Sequence, residues 1–155
     1  MVQLVETVAG VLISVSVATP ATFDAAGYAA LTYTNIGEIT DGGSHGRVYA
    51  LVSHKPIGNR AEQKFKGSFN EGQKTMQLGI DDDEPGQLIV KAGVKSDANY
   101  SFKVSYQGGS VDYFQAKVMS FVKATGSVDS IRAGTIMLEL TTSASGVGII
   151  EVPGT

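Results

Sequence analysis

Glu62-Gln63-Lys64-Phe65-Lys66-Gly67-Ser68-Phe69, then the corner Asn70-Glu71-Gly72 and a second run from Lys74 to Ile80, is the stretch on which the fold turns. Phe65, Gly67 and Phe69 share one parity, while Glu62, Lys64, Lys66 and Ser68 share the other. That is the period of a strand with one face in a core, so the two phenylalanines are expected inside and the lysines outside. The tight corner and the renewed alternation predict a hairpin. An acidic run, Asp81-Asp82-Asp83-Glu84, leads through Pro85 into an apolar, helix-like segment from Gln87 to Val94. Asp82 or Asp83 is the expected N-cap, with Pro85 in the first turn and carboxylates near the positive helix end. Tyr100 to Tyr106 and Val111 to Val122 alternate again around Gly108-Gly109. Hairpin, capped helix, hairpin predicts a mainly β domain, a β-sandwich or barrel-like body with one flanking helix.

The flanks extend this pattern. Gly10 to Ala18 is apolar, but Ser14 and Ser16 alternate with Ile13, Val15 and Val17, and no Lys or Arg precedes it. A secretory signal needs a basic start and a continuous apolar run, so a first strand is predicted. Asp24 stands where an N-cap should, ahead of one or two turns of helix from Ala25 to Leu31. Asp41 to Gly46 is a flexible loop by composition; the segment Asp41 to Asn59 is expected to be mobile in the free subunit, and deleting Gly42 to His45 is expected to leave the fold intact. Arg47 to Ser53 is a strand with apolar residues on both faces, as though both were covered. Val111 to Lys123 and Val128 to Thr141 are long strands, the second with a candidate bulge at Gly134. Val147 to Val152 is too apolar for an exposed edge and is expected to be paired.

Composition narrows the function classes. A chain of 155 residues fits one domain that buries roughly two-thirds of its unfolded surface. Apolar residues make up 43% and charged residues only 17%, which leaves a neutral polar surface suited to protein contact, because interface cores are depleted of charge. With no cysteine there is no disulfide framework and no thiolate chemistry. The net charge of −3 opposes binding nucleic acid through a basic surface. Charge is uneven along the chain, however. Residues 41–70 are net positive and the other segments mildly negative, an asymmetry that lets one end of the molecule meet the opposite end of a neighbour. No window has the ~18 consecutive apolar residues of a membrane span.

No enzymatic or metal-binding constellation emerges. His45 and His54 lack ligand spacing, and the consecutive acids lack the alternating oxygens and turn glycine of a calcium loop. No Gly-Lys-Ser/Thr follows the glycines at 42–46, and the serines lack a nucleophile elbow. Neither cofactor nor metal is expected.

In their order along the chain these features resemble the major tail tube proteins of long-tailed, siphovirus-type bacteriophages. That family is related in fold to the tubes of contractile tails and type VI secretion. The resemblance is carried by Phe23-Asp24-Ala25-Ala26 leading to Ile36-Gly37-Glu38-Ile39, by Lys66-Gly67-Ser68-Phe69, and by Asp83-Glu84-Pro85-Gly86-Gln87 opening a helix. Tyr113-Phe114-Gln115-Ala116-Lys117-Val118 completes it before the final strands. It implies a single tail tube domain over residues 1–155, without the C-terminal immunoglobulin-like extension of some relatives. It also implies hexameric rings stacked into a conduit for double-stranded DNA, with tape-measure, tail-tip and terminator proteins as further partners. The protein would reside in the virion after synthesis in the host cytoplasm, away from any membrane. A long loop reaching the next ring would comprise Asp41, Gly42, Gly43, Ser44, His45, Gly46 and Arg47, with Lys55 and Arg60 beyond it. The channel wall would be neutral to acidic, with Asp112, Asp129 and Glu139 on the late strands as candidates and Lys103 and Lys117 pointing outward or paired. The competing expectation is a β-sandwich binding module of carbohydrate-binding or adhesin type. That role favours exposed aromatics, whereas this chain has no Trp and most of its aromatics fall on core parity.

Overall fold

The computed structural model describes residues 5–154. Their elements are, in order, β1 (Leu12–Ser16), α1 (Ala25–Ala29), β2 (Thr34–Asn35), β3 (Ile39–Asp41), β4 (Val48–His54), β5 (Gln63–Asn70) and β6 (Gln73–Gly79). They continue with α2 (Pro85–Gly93), β7 (Tyr100–Ser105), β8 (Val111–Ala124), β9 (Ala133–Thr141) and β10 (Ile150–Val152). Eight strands form one sheet in the order β2-β1-β7-β8-β9-β6-β3, with β10 beside the start of β8. Its outermost strands, β2 and β3, are separated in the chain only by Ile36-Gly37-Glu38. A sheet whose two edges are joined by so short a link has to curl until they approach. Glu38 turns this corner with φ at 65°. Its carbonyl accepts from Gly79 N at 2.9 Å, and Ile36 N donates to Ile13 O at 2.9 Å, so the link is tied to strands on both sides. The result is mainly β and barrel-like.

Alternation fills the inside of the curl. Met76 and Leu78, Phe102 and Val104, Phe114 and Ala116, and Ile136 and Leu138 are all buried together. β8 stays in register with β9 through a bulge between Val118 and Ser120. The bulge therefore sits on β8 and not at Gly134. Residues 128–132 are not strand; Ser130 N donates to Ser127 O across a turn, and β9 begins at Ala133.

α2 covers the curl, packing on β1, β2 and β8 with Val90 fully buried. Its N-cap is Glu84, whose carboxylate accepts from Gln87 N at 2.8 Å, and not Asp82 or Asp83. Pro85 sets the helix start, so the residue immediately before it takes the cap. Asp82 instead meets Arg132 at 2.9 Å, and Asp83 N donates to Asp81 Oδ1 at 3.1 Å. Gln87, buried in the first turn, donates through Nε2 to Gly37 O at 3.1 Å and Gly79 O at 2.9 Å. Its Oε1 accepts from Asp81 N at 3.1 Å. One amide thus clasps the corner of the sheet to the end of β6. Gly86 is required here, because a Cβ would lie 2.2 Å from Asn35 O.

α1 is a second, shorter helix. Asp24 caps it as expected, accepting from Gly27 N at 2.7 Å. Tyr28 is buried and stacks on Tyr113 at 5.4 Å between centroids, covering the outer face of β8. Residues 12–16 are a strand, and β10 pairs with β8, so both apolar termini of the described chain join the sheet. No described helix is long and apolar enough to cross a membrane.

The decisive stretch folds differently from its expected hairpin. β5 pairs with β4, while β6 pairs with β9 and β3. At the corner Gly72 has φ of 93°, and Asn70 Oδ1 accepts its N–H at 2.8 Å. The turn redirects the chain from a projecting hairpin into the body and does not fold it back on itself.

Candidate assembly site

β4 and β5 form a two-stranded sheet that no other described strand joins. Tyr49 faces Phe69 and Val52 faces Phe65 across it, with a bulge between Tyr49 and Leu51. Gly67 admits the neighbouring chain closely; a Cβ there would lie 2.9 Å from Val52 Cγ2. Every residue of β4 is exposed, and in β5 only Gly67 is partly covered. Leu51 is 67% exposed and Phe65 54%. The expected placement of Phe65 and Phe69 in the core is therefore incorrect. Their parity is real, but the face they build is not covered by the core, and Phe65 and Phe69 are both exposed. Ile57 in the connecting loop is fully exposed as well. Such a hairpin leaves strand edges and apolar side chains available to another molecule.

The root of the hairpin is fixed by charge. Arg47, one residue before β4, donates through Nε to Glu71 Oε1 at 2.6 Å. Its guanidinium lies 3.9 Å from the Phe69 ring centroid, a cation–π contact that splints the two strands. Glu71 is buried, and its other oxygen accepts from Ile149 N at 3.1 Å.

The segment Gly42–Gly46, read as a flexible loop, is a strap pinned to the body. Gly43 has φ of 68°, and a Cβ would lie 2.1 Å from Thr75 O. His45 lies between Asp112, 2.8 Å from its Nε2, and Lys74, whose Nζ is 3.2 Å from its Nδ1. A charged Lys74 can only donate to Nδ1, and that arrangement turns an Nε2 proton toward Asp112. Tyr106 OH donates to the same Asp112 oxygen at 2.8 Å. Lys74 is 2% exposed. Burial pulls its pKa down to about 8, against the opposing pull of Asp112 and Asp41. Burial, and then the Asp112 contact, raise the Tyr106 phenol. These groups line one side of a cleft of about 940 Å³ at the seam of the curl. The Lys74 amine is enclosed, and the cluster fastens the strap to the body. Deleting Gly42–His45 would remove the fastening, contrary to the expectation for a free loop.

The expected channel acids separate. Asp112 shares the inward parity of Phe114 and Ala116 and is occupied by His45 and Tyr106. Asp129 lies in the turn at 127–130 and not on a strand. Glu139 is on the outer face of β9, opposite Lys117, and accepts from Gln73 Nε2 at 2.7 Å. Lys117 is paired, donating to Asp97 O at 2.7 Å, and Lys103 stands 5.8 Å from the Tyr33 ring centroid. Of the remaining loop residues, Lys55 and Arg60 are exposed in the β4–β5 connection and are not brought to the strap. Sequence reasoning missed Lys74 and Glu71 as buried charges. For Lys74 the signal was present, since it shares parity with Met76 and Leu78.

No family model and no curated protein matches this chain. Among solved structures it is similar to a chain of the extracellular contractile injection system PVC, in its sheath/tube terminator in the extended state. That match has a TM-score of 0.63 at 10% identity over 99% of this chain and 100% of the other. A chain of the PVC sheath-tube complex in the extended state gives 0.62 at 12%, covering 97% and 93%. A chain of the six-fold symmetrised baseplate of the anti-feeding prophage gives 0.61 at 12%, covering 84% and 88%. At such identities the likeness is one of fold, and this barrel-like body is a fold used among the components of contractile injection systems.

Proposed function

We propose that this chain is a non-catalytic structural subunit that assembles with copies of itself into the tube of a phage tail or tail-like injection apparatus. The observation that carries the reading is the β4–β5 hairpin, an ordered element that no other described strand joins and whose Leu51, Val52 and Phe65 are exposed. A body with a curled sheet and one hairpin that no other described strand joins is suited to repeated association. The similarity in fold to chains of a sheath-tube complex and a terminator supports the same reading.

In its finer form the proposal is a hexameric ring, in keeping with the six-fold symmetry of the baseplate containing one similar chain. Rings stack through the hairpin and its loop, which carries Lys55 and Arg60, with the pinned strap Asp41–Arg47 setting the direction in which the hairpin leaves. The tail is of the long, flexible type, and the subunit resides in the virion after synthesis in the host cytoplasm. Tape-measure, tail-tip and terminator proteins are its neighbours. Double-stranded DNA passes without specific binding, along a wall to which the outer face around Glu139, Thr135 and Gln77 would contribute neutral and acidic groups. Electron microscopy of the purified protein tests the core of the proposal. Rings or hollow tubes are expected; compact, non-associating particles at high concentration overturn it and favour a binding module.

A further inference from the structure

The hairpin of one copy needs a receiving surface on the next, and the topology separates the two candidates along a single strand. The hairpin enters β6 at Gln73 through Asn70-Glu71-Gly72. The acidic run Asp81–Glu84 leaves β6 just beyond Gly79. Seven residues of strand place these poles about 23 Å apart, at ~3.3 Å per residue. β9 runs antiparallel to β6, with Ala133 opposite Gly79 and Glu139 opposite Gln73. The turn before β9 is therefore at the acidic pole. Ile80 N donates to Arg132 O at 2.9 Å and Arg132 holds Asp82, which ties turn and acidic run together.

This pole has the complementary composition. Val128 is 96% exposed and Ile131 81%, and Asp83 and Asp129 stand exposed beside them. Of the cations there, Arg132 is taken by Asp82, which lowers the Asp82 pKa. Lys123 beside Lys91 lowers the Lys91 pKa. Acids outnumber cations. At the hairpin the balance is reversed, with exposed Lys55, Arg60, Lys64 and Lys66 against Glu62, around exposed Leu51, Ile57 and Phe65. Hairpin against hairpin, or acidic pole against acidic pole, sets like charges together.

We infer that the basic, apolar β4–β5 hairpin docks on the acidic, apolar pole formed by Asp81–Glu84 and the 127–131 turn of a second copy of this chain. This rests on the tube reading above and names its stacking contact. The contact is heterologous, so each bound copy still presents a free hairpin at one end and a free pole at the other, and association propagates in one direction.

Charge reversal tests it. Variant one carries Lys64→Glu and Lys66→Glu; variant two carries Asp83→Lys and Asp129→Lys. Lys64, Asp83 and Asp129 are exposed on the surface, and the Lys66 ammonium lies 4.8 Å from the centroid of the exposed Tyr49 ring, so both variants should unfold in urea near the wild-type midpoint. Each alone should lose elongation, with sedimentable tube falling about tenfold or more. Mixing the two should restore tubes, because each variant's hairpin then finds an opposite-charge pole on the other. Placing all four changes in one chain should also restore them. If wild type forms tubes but the single variants do so equally, or if the mixture stays unassembled, the stacking contact is overturned while the tube reading stands. If wild type never assembles, the tube reading itself is overturned, and this contact with it.

Discussion

The β4–β5 hairpin and the β6–β9 pair are written in the same alternating pattern, yet one is wet on both faces and the other dry on one. Lys64-Phe65-Lys66 and Lys74-Thr75-Met76 cannot be told apart by period. What differs is the surroundings. β6 lies between β9 and β3 inside a curled sheet closed by α2, so Met76 and Leu78 are buried. β5 pairs only with β4 among the described strands, so Phe65 faces solvent. Alternation identifies a strand with an apolar face; it does not say whether that face belongs to this chain or to the next copy.

Leu78→Ala should give the largest effect on the folded subunit. It truncates a side chain 1% exposed, and urea unfolding should show a loss of about 2–5 kcal/mol. A loss below that range would mean that the body is less closed than the hairpin contrast requires. His45→Ala comes next. It leaves Lys74 and Asp112 enclosed without their common partner, for a loss of about 2–3 kcal/mol. Amide exchange in β4 and β5 should also quicken, because the strap holds the hairpin root, while β8 and β9 change in step with global stability.

A smaller effect is a pH trend. In the unfolded chain Lys74 protonates near its ordinary 10.5, in the folded one near about 8. Between these values the unfolded state binds more protons, so stability rises with pH there; the burial penalty is fully present below pH 8 and relieved toward 10.5. From pH 7.5 to 9.5 the gain should be about 1–2 kcal/mol, absent in Lys74→Met, as read by urea unfolding at each pH. Further up, Tyr33 and Tyr106 reverse the trend, because burial raises their phenols and the unfolded chain ionises first. The smallest effect on stability should come from Phe65→Ala, within about 0.5 kcal/mol. The same variant should lose tube assembly in electron microscopy. A large loss of stability without loss of assembly would break the contrast between the two regions.

Elements governed by local rules were legible in the sequence. The Asp24 cap, the helix after Pro85, the β7–β8 hairpin around Gly108-Gly109 and the core parity of the late strands all follow from short-range sterics and alternation. Pairing was less legible. Asn70-Glu71-Gly72 has turn chemistry whether β5 folds onto β6 or away from it, and only the curl of the distant sheet decides. The helix cap was missed by one residue because four consecutive acids offer equivalent oxygens until Pro85 fixes the first turn. The partners of Asp112 were not legible either, because a carboxylate on inward parity makes sense only once the strap delivers His45 to it. His45 itself lies 67 residues earlier in the chain.

Gln87 has a consequence beyond geometry. The bonds by which it joins the corner at Gly37 to the end of β6 run from an uncharged amide to backbone groups. Dissolved ions weaken attraction between exposed charges over a screening length of ~8 Å at physiological ionic strength, and they have little hold on an enclosed amide. Raising the ionic strength should therefore separate copies joined by a basic hairpin and an acidic pole while each subunit keeps its closed shape. Lowering it again should return the assembly without any refolding step.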